Sequence, residues 1–92
     1  MRAVWKFSVP PDAQIDGFDQ VMPEGAEIIH AAEQHGQFSF WAIIDSAALK
    51  VKRRFRIYGT GEWLNSKSNL KYIGTGQFER GKLVFHLFEE VL

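Results

Sequence analysis

Short stretches in which apolar and polar residues alternate, each cut off by proline or glycine, constrain the fold of this chain more than any other feature. Residues 3–9 alternate in this way until Pro10-Pro11 ends the run, because proline lacks the N–H that a strand ladder needs. The longest such stretch is Lys50 to Tyr58. Alternation with a period of two is typical of β-strands. The pattern therefore predicts a series of short strands with almost no helix.

Turn sequences divide the rest of the chain into further strands. Residues 26–34 lie between the turns Pro23-Glu24-Gly25 and His35-Gly36. Their alanine and glutamate residues would also suit a helix, but the segment is short and we interpret it as a strand. The remaining expected strands cover residues 38–44, 70–79 and 82–91, the last two joined by a tight turn at Arg80-Gly81. The connecting segments are a helical turn or wide loop at 45–49, a continuation of the strand of residues 50–58 at 62–64 and a polar loop at 65–69.

These elements predict one β domain over residues 1–92. A chain of 92 residues has room for one core, and its eight phenylalanines and three tryptophans are too many for a disordered chain. Because there is no cysteine, the fold must depend on packing without disulfides. Six to seven short strands around one core predict a small antiparallel β-sandwich or barrel with little helix.

The zero net charge hides an uneven distribution of charged residues. Residues 1–49 carry two basic and seven acidic side chains, whereas residues 50–92 carry nine basic and four acidic ones. If the fold keeps the halves apart, the molecule has an acidic side and a basic side, and it could meet an anion or stack head to tail. If strands of the two halves intercalate, the asymmetry disappears. The net charge of zero disfavours a nucleic-acid partner.

The strand from Lys50 to Tyr58 carries the strongest candidate binding feature. Alternation places four cations on one face, Lys50, Lys52, Arg54 and Arg56. Successive members of this row would lie about 6.6 Å apart, close to the spacing of phosphates in an extended nucleic-acid backbone. A phosphorylated ligand or polyanionic partner would fit; the alternative is a solvated face that pairs with acidic side chains of the first half. Arg53 falls among core residues, so it must meet a carboxylate, a carbonyl or a bound anion.

The sequence Gly-Thr-Gly occurs twice, at residues 59–61 and 74–76, each time between aromatic residues. In one interpretation the glycines permit bulges or bends in a small, curved sheet. In the other they let a ligand approach the backbone, with Thr60 among the groups that bind its oxygens. Neither copy has the lysine and helix N-terminus of a phosphate-binding loop.

His30 and His86 lie within expected strands, and His35 lies in a turn. The two strand histidines could meet across a pocket as acid and base or as metal ligands, or they could be satisfied inside the protein. A closed metal site needs further ligands that no cluster in the sequence supplies. The chain also lacks the serine-elbow and zinc-protease motifs. We therefore expect no metal, no cofactor and no enzymatic activity.

Two expected strands, residues 38–44 and 83–88, have apolar side chains on both faces. Since one core cannot cover both faces, we expect the second to be an oligomer or ligand surface, and we expect a homo-oligomer. Trp41 would supply an aromatic surface there. No apolar run approaches the roughly 20 residues that span a bilayer, so we expect a soluble protein without a membrane partner.

Over nearly its whole length the sequence resembles a family of short phage and prophage proteins filed as a domain of unknown function. The segments that carry the resemblance include Met22 to His30, Trp41 to Asp45, Arg53 to Gly61 and Leu83 to Glu89. The resemblance names no chemistry. It implies a phage-encoded accessory protein in the cytoplasm of a host bacterium and, by analogy with other small phage proteins, a role against host defence.

Together these observations predict a non-enzymatic binding protein that sequesters an anionic nucleotide signal of host immunity. The expected ligand-binding residues are His30, Trp41, Arg53, Arg54, Arg56, Thr60 and His86. The arginines would hold phosphates and an aromatic side chain would stack on a base. The main alternative is a protein-binding inhibitor of a host defence complex such as a CRISPR effector.

Overall fold

The computed structural model describes residues 1–65, 67 and 69–91, and within them it contains seven strands and one short helix. The elements are β1 (Arg2–Ser8), α1 (Ala13–Asp16), β2 (Phe18–Pro23), β3 (Glu27–Gln34), β4 (Gln37–Asp45), β5 (Lys50–Gly59), β6 (Asn69–Phe78) and β7 (Leu83–Val91). The expected mainly β class is confirmed. Residues 66 and 68 of the expected polar loop, and residue 92, lie outside the described residues.

The strands form two antiparallel sheets. A three-stranded sheet has the order β1-β4-β3 and a four-stranded sheet has the order β2-β5-β7-β6. Every strand pair is antiparallel. Over the described residues the two sheets do not close into a barrel, so the sandwich is the one of the two expected architectures that the chain adopts.

The core lies between the two sheets. Its largest fully buried apolar side chains include Phe40, Phe55, Met22, Ile44 and Leu87. The rings of Phe40 in β4 and Phe55 in β5 have centroids 5.0 Å apart, so this pair joins one sheet to the other. Burial of each such side chain contributes about 1.5–3 kcal/mol. Packing of this kind replaces the disulfides that the chain lacks.

β3 and β6 bring the edges of the two sheets together on one side of the sandwich. A Cβ atom on Gly74 would lie 2.8 Å from the Cβ atom of Ala31, closer than two carbon atoms can pack. The register of β6 shifts between Tyr72 and Gly74, which marks a bulge. The bulge interpretation of the second Gly-Thr-Gly sequence is therefore confirmed, and its first glycine is needed because β3 passes so close.

The two halves of the chain are largely kept apart. The three-stranded sheet is built from residues 2–45, and the four-stranded sheet is built from residues 50–91 together with β2. β2 is the exception, because it carries Asp19 into the basic sheet, where Asp19 lies opposite Arg54. The four-stranded sheet is the basic side, with acidic side chains placed beside the arginines of β5. The strands of the three-stranded sheet are nearly neutral, since they carry Arg2 and Lys6 against Glu27, Glu33 and Asp45.

Three local details differ from the sequence expectations. The sequence predicts no strand over residues 18–23, although buried Phe18 and Met22 face the core there, because apolar and polar residues do not alternate regularly: Gln20 takes an inward position and Val21 an exposed one. α1 was also not expected, and with four residues it is a single turn. Residues 62–64 do not extend β5, which ends at Gly59 in a turn closed by the N–H of Glu62. No helix in the described part of the chain is both long enough and apolar enough to cross a membrane.

Candidate functional site

The outer face of the four-stranded sheet carries the basic row of β5. Phe55 and Ile57 point into the core, so alternation turns Arg54 and Arg56 outward. The prediction that this segment is extended is confirmed. Arg54 and Arg56 share one carboxylate, that of Glu90 in β7, with their Nε atoms 3.9 Å and 3.0 Å from its Oε2 atom.

Further acceptors hold the same two guanidinium groups. Asp19 Oδ1 lies 3.4 Å from Nη1 of Arg54. The backbone carbonyl of Asp16, at the end of α1, accepts hydrogen bonds from both Arg54 and Arg56. The hydrogen bond to Glu90 raises the pKa of Arg56 above its ordinary value. Both arginines thus fasten α1 and β7 to β5, which leaves less of their charge for a ligand.

Lys50 and Lys52 continue the row and are exposed. Neither forms an ion pair with the described residues; Lys50 instead places its Nζ atom 4.9 Å from the centroid of the Trp5 ring. The exposed end of the row therefore consists of lysines, whereas the arginine end is paired.

Arg53 points the other way, between the sheets. Its Nε and Nη2 atoms donate to the two carboxylate oxygens of Glu89, each at 2.7 Å, and its Nη1 atom donates to the carbonyl of Ala26 at 2.7 Å. The side chains of Arg53 and Glu89 are 20% and 13% exposed. The prediction that Arg53 needs a carboxylate, carbonyl or anion partner is confirmed, and this pairing ties β5 to β7 and to the residue before β3.

Three aromatic rings form a row across β5, β7 and β6, which we call the aromatic row: Tyr58, Phe88 and Tyr72. Phe88 lies in the middle, with its ring centroid 5.9 Å from that of Tyr58 and 5.7 Å from that of Tyr72. Both contacts are edge-to-face, at 71° and 67°. Edge-to-face packing is a favourable geometry for such pairs. Tyr72 is 57% exposed, so the row faces solvent.

His86, also on β7, lies beside the aromatic row and is held by two threonines. Its Nε2 atom lies 2.8 Å from Oγ1 of Thr60, and its Nδ1 atom lies 2.9 Å from Oγ1 of Thr75. The hydroxyl of Tyr72 lies 2.6 Å from the same Thr75 oxygen. Each hydroxyl can donate or accept, so the network satisfies both ring nitrogens and fixes the orientation of the imidazole.

The two Gly-Thr-Gly sequences meet at this network. The first supplies Thr60 at the end of β5, and the second supplies Thr75 in β6. A tyrosine precedes each sequence, and Tyr58 and Tyr72 contact Phe88 of β7 from its two sides. In the same way, Thr60 and Thr75 contact His86 of β7 from its two sides. The repeated sequence therefore builds two sides of one surface around the central strand β7.

His30 and Trp41 lie elsewhere, on the outer face of the three-stranded sheet. Their ring centroids are 5.8 Å apart, and Nζ of Lys6 lies 5.5 Å from the Trp41 ring on β1. The seven predicted binding residues thus fall into three places. Arg54, Arg56, Thr60 and His86 share the outer face of the four-stranded sheet, Arg53 lies between the sheets, and His30 and Trp41 lie on the opposite side of the sandwich.

An exposed tryptophan borders the aromatic row. Trp63 is 95% exposed and Leu64 is 50% exposed, in the segment that follows β5. The N–H of Asn65 lies 3.5 Å from the hydroxyl of Tyr58, so this segment lies against the row. The sequence predicts Trp63 within an extended strand and does not indicate its exposure. The predicted binding residues also include neither Tyr58 nor Tyr72. The signal that could have found them is the aromatic residue before each Gly-Thr-Gly.

The surface beside His86 is open rather than concave. Cavities of about 260, 300, 430 and 270 Å³ occur in the described part of the chain. None of them is lined by Arg54, Arg56, Thr60 or His86. Small-molecule sites are usually clefts that bury most of the ligand. Among residues 1–65, 67 and 69–91, no three histidine or carboxylate side chains gather in a way that could hold a metal ion.

A family model covers the whole chain, residues 1–92, and its description is a domain of unknown function, DUF7352. The chain belongs to the DUF7352 family. The expected membership of a family of unknown function is confirmed, whereas the phage setting stays a prediction. Neither the curated proteins nor the solved structures yield a match to this DUF7352 domain. Its function must therefore be argued from its own surface.

Proposed function

We propose that this protein is a non-enzymatic binding module that docks a partner protein on the outer face of its four-stranded sheet. The observation that carries the proposal is the aromatic row, open to solvent beside Trp63, which is 95% exposed. Tyrosine, tryptophan and arginine are the residue types that dominate binding energy at protein interfaces. Here they occur side by side on one broad sheet face.

The shape and charge of this face favour a protein over a small ligand. Arg56 and His86 line none of the four cavities described above, although Tyr72 lines that of about 300 Å³, and an open surface suits a macromolecule better than a mononucleotide. Arg54 and Arg56 already have carboxylate partners. A phosphate would have to compete with Glu90, whereas a protein partner can pack against the paired groups at the rim of an interface.

A second candidate is the nucleotide binder that the sequence predicts. It is favoured by one specific observation, the placement of Lys52, Arg54 and Arg56 on the same face as the aromatic row. A base could stack on Tyr72 or Tyr58 while the cations meet its phosphates. In this form of the proposal the base stacks on the aromatic row and not on Trp41, the residue that the sequence-based prediction names.

The cellular setting comes from the resemblance to phage and prophage proteins. For a phage accessory protein acting in the cytoplasm of its host, the docked partner would be a host defence complex, such as a CRISPR effector. The nucleotide of the second candidate would be a signal of host immunity. Both settings depend on the resemblance alone, and the docking surface is argued independently of them.

Site-specific photo-crosslinking in the native cell tests the docking face. A photoreactive phenylalanine analogue replaces Tyr72 in one variant and Val4 in another; both residues are 57% exposed, and Val4, on the outer face of the opposite sheet, serves as the matched control. We expect one protein other than this chain to cross-link at position 72 and not at position 4, and we expect Trp63→Ala to weaken the cross-link. Equal labelling at both positions, or none at position 72, would contradict the proposal.

Thermal unfolding with a panel of cyclic and linear nucleotides separates the two candidates. A ligand present at 100 times its dissociation constant adds about 2.7 kcal/mol to the unfolding free energy. The protein-docking proposal predicts no shift with any nucleotide. A shift that Lys52→Glu abolishes and Lys82→Glu retains would favour the nucleotide candidate instead, since Lys82 is also exposed but lies in the turn before β7, away from the basic row.

A further inference from the structure

Four strands form the edges of the two sheets: β1 and β3 in one, β2 and β6 in the other. An edge strand presents unpaired N–H and C=O groups, to which another chain can pair. Natural proteins protect such edges by bulges, prolines, short strands or covering elements. The four edges of this protein differ sharply in how they are protected.

Three of the edges carry such protection. β3 and β6 lie against each other, and each contains a register shift. β2 is the shortest strand, with six residues, and it ends at Pro23. β1 has none of these features: its seven residues pair with β4 in unbroken register, and among the described residues β4 is its one strand partner.

Lys6, the charged residue in the middle of β1, does not protect the free edge of the strand from pairing. Lys6 lies back over its own sheet, with its Nζ atom 5.5 Å from the centroid of the Trp41 ring and 3.3 Å from Oε1 of Gln34 in β3. Arg2 lies at the far end of the strand. The centre of the β1 edge is therefore occupied by Val4 and Trp5, which are 57% and 38% exposed.

The inner side of β1 also leaves room for a neighbour. Ala3, Trp5 and Phe7 face the same side of the sheet, yet Phe7 is buried while Ala3 and Trp5 are exposed. The four-stranded sheet therefore does not extend beneath this end of β1. On this side a strand added to the β1 edge would meet the side chain of Lys50, whose Nζ atom lies 4.9 Å from the centroid of the Trp5 ring, rather than a strand of the opposite sheet.

We infer that β1 pairs antiparallel with β1 of a second copy of this chain, about a two-fold axis at Trp5. This arrangement joins two three-stranded sheets into one six-stranded sheet. It is isologous, so it closes at the dimer. It also places the two Trp5 side chains opposite each other on the inner side, where cross-strand aromatic pairs are favourable.

The charges of β1 select this register. With Trp5 on the axis, Val4 lies opposite the second copy's Lys6, and Arg2 lies opposite its Ser8, so no two cations face each other. A register centred on Val4 would place Arg2 opposite Lys6, and like charges directly opposite are destabilising. The same strand can therefore pair with itself without repulsion in the Trp5-centred register.

Sedimentation equilibrium over a wide concentration range tests the dimer. We expect the wild-type protein to reach twice the monomer mass. Val4→Lys places lysine opposite lysine twice and should raise the dimer dissociation constant at least about tenfold. Val4→Glu places glutamate opposite lysine and should keep or strengthen the dimer. Ile29→Lys is the matched control, because Ile29 is 49% exposed on the other edge strand of the same sheet, β3, and it should leave the dimer unchanged.

A single-cysteine variant gives an independent readout, since the chain has no cysteine of its own. Under mild oxidation Trp5→Cys should form a covalent dimer, because paired residues on the axis bring their Cβ atoms within reach of a disulfide. Val21→Cys should stay monomeric on the same treatment. A wild-type protein that remains monomeric at every concentration, or a dimer that Val4→Lys and Val4→Glu weaken equally, overturns the inference. Circular dichroism of each variant confirms that the fold is intact.

Discussion

Arg53 of β5 and Glu89 of β7 form a two-pronged ion pair inside the sandwich, with both donor–acceptor distances 2.7 Å. The remaining arm of the same guanidinium donates to the carbonyl of Ala26, just before β3. One side chain therefore ties two strands of the four-stranded sheet to the start of a strand in the other sheet. An arginine among core residues is stable here because each of its three nitrogen atoms has an acceptor.

Removal of one partner of this pair should be costly. Glu89→Gln leaves a partly buried guanidinium without its counter-charge, and we expect a loss of about 2–4 kcal/mol in the free energy of unfolding, somewhat less than for a fully buried pair. Asp19→Asn is the control: the Asp19 side chain is 44% exposed and lies 3.4 Å from Arg54, and loss of such a surface pair costs about 1 kcal/mol or less. Urea denaturation measures both; equal losses would contradict the assignment.

Gly59 and Gly74, the first glycines of the two Gly-Thr-Gly sequences, should differ in how well they tolerate substitution by alanine. In Gly74→Ala the new Cβ would lie 2.8 Å from Cβ of Ala31, and overpacking of this kind costs about 1–3 kcal/mol. In Gly59→Ala the nearest atom, at 3.0 Å, is the carboxylate of Glu62, which can move. Thermal unfolding should therefore rank Gly59→Ala well above Gly74→Ala in stability. Ala31→Gly should restore part of the loss in Gly74→Ala; failure to do so would point to another cause.

Most strands could be predicted from the sequence, because apolar and polar residues alternate within them and turn residues mark their ends. The strand over residues 50–58 and the hairpin at His35-Gly36 both show this. β2 could not be found in the same way, because its alternation is broken by polar Gln20 at an inward position and apolar Val21 at an exposed one. Its identity as a strand depends on pairing with β5, a contact that local sequence does not contain.

The candidate site was only partly predictable, because period-two alternation assigns a residue to a face but not to a sheet. It correctly separated Arg53 from Arg54 and Arg56. It could not show that Trp41 and β5 belong to different sheets. It also could not show that Glu90 would lie between two arginines, since that contact depends on the pairing of β5 with β7.

The histidine network should depend more on one threonine than on the other. Thr75 is partly buried and its hydroxyl contacts both His86 and Tyr72, whereas Thr60 is exposed and contacts His86. Valine has nearly the shape of threonine and suits a strand, so a valine substitution isolates the hydroxyl. We expect Thr75→Val to cost about 1 kcal/mol and Thr60→Val less, because water can replace an exposed partner. Equal losses in chemical denaturation would argue against the chain of hydrogen bonds.

Asp45 should give the protein a stability that is lost in acid. Its Oδ1 atom accepts a hydrogen bond from the N–H of Ala47 at 3.0 Å and lies 3.1 Å from the amino group of Met1. The Ala47 N–H first, and the Met1 ammonium second, hold the pKa of Asp45 below its ordinary value of 3.8. Because the folded pKa is the lower one, the contribution is fully present above the unfolded value and disappears as the pH falls through the folded value.

Asp45→Asn removes this contribution and allows the pH dependence to be measured. The difference in unfolding free energy between wild type and Asp45→Asn should be constant well above the ordinary Asp45 pKa of 3.8 and should shrink as the pH falls below it. Glu24→Gln is the control, since Glu24 is exposed and its carboxylate makes no ion pair or side-chain hydrogen bond within the described residues. Its difference from wild type should change less with pH. If the difference in unfolding free energy between wild type and Asp45→Asn increases as the pH falls, these contacts do not stabilise the Asp45 carboxylate.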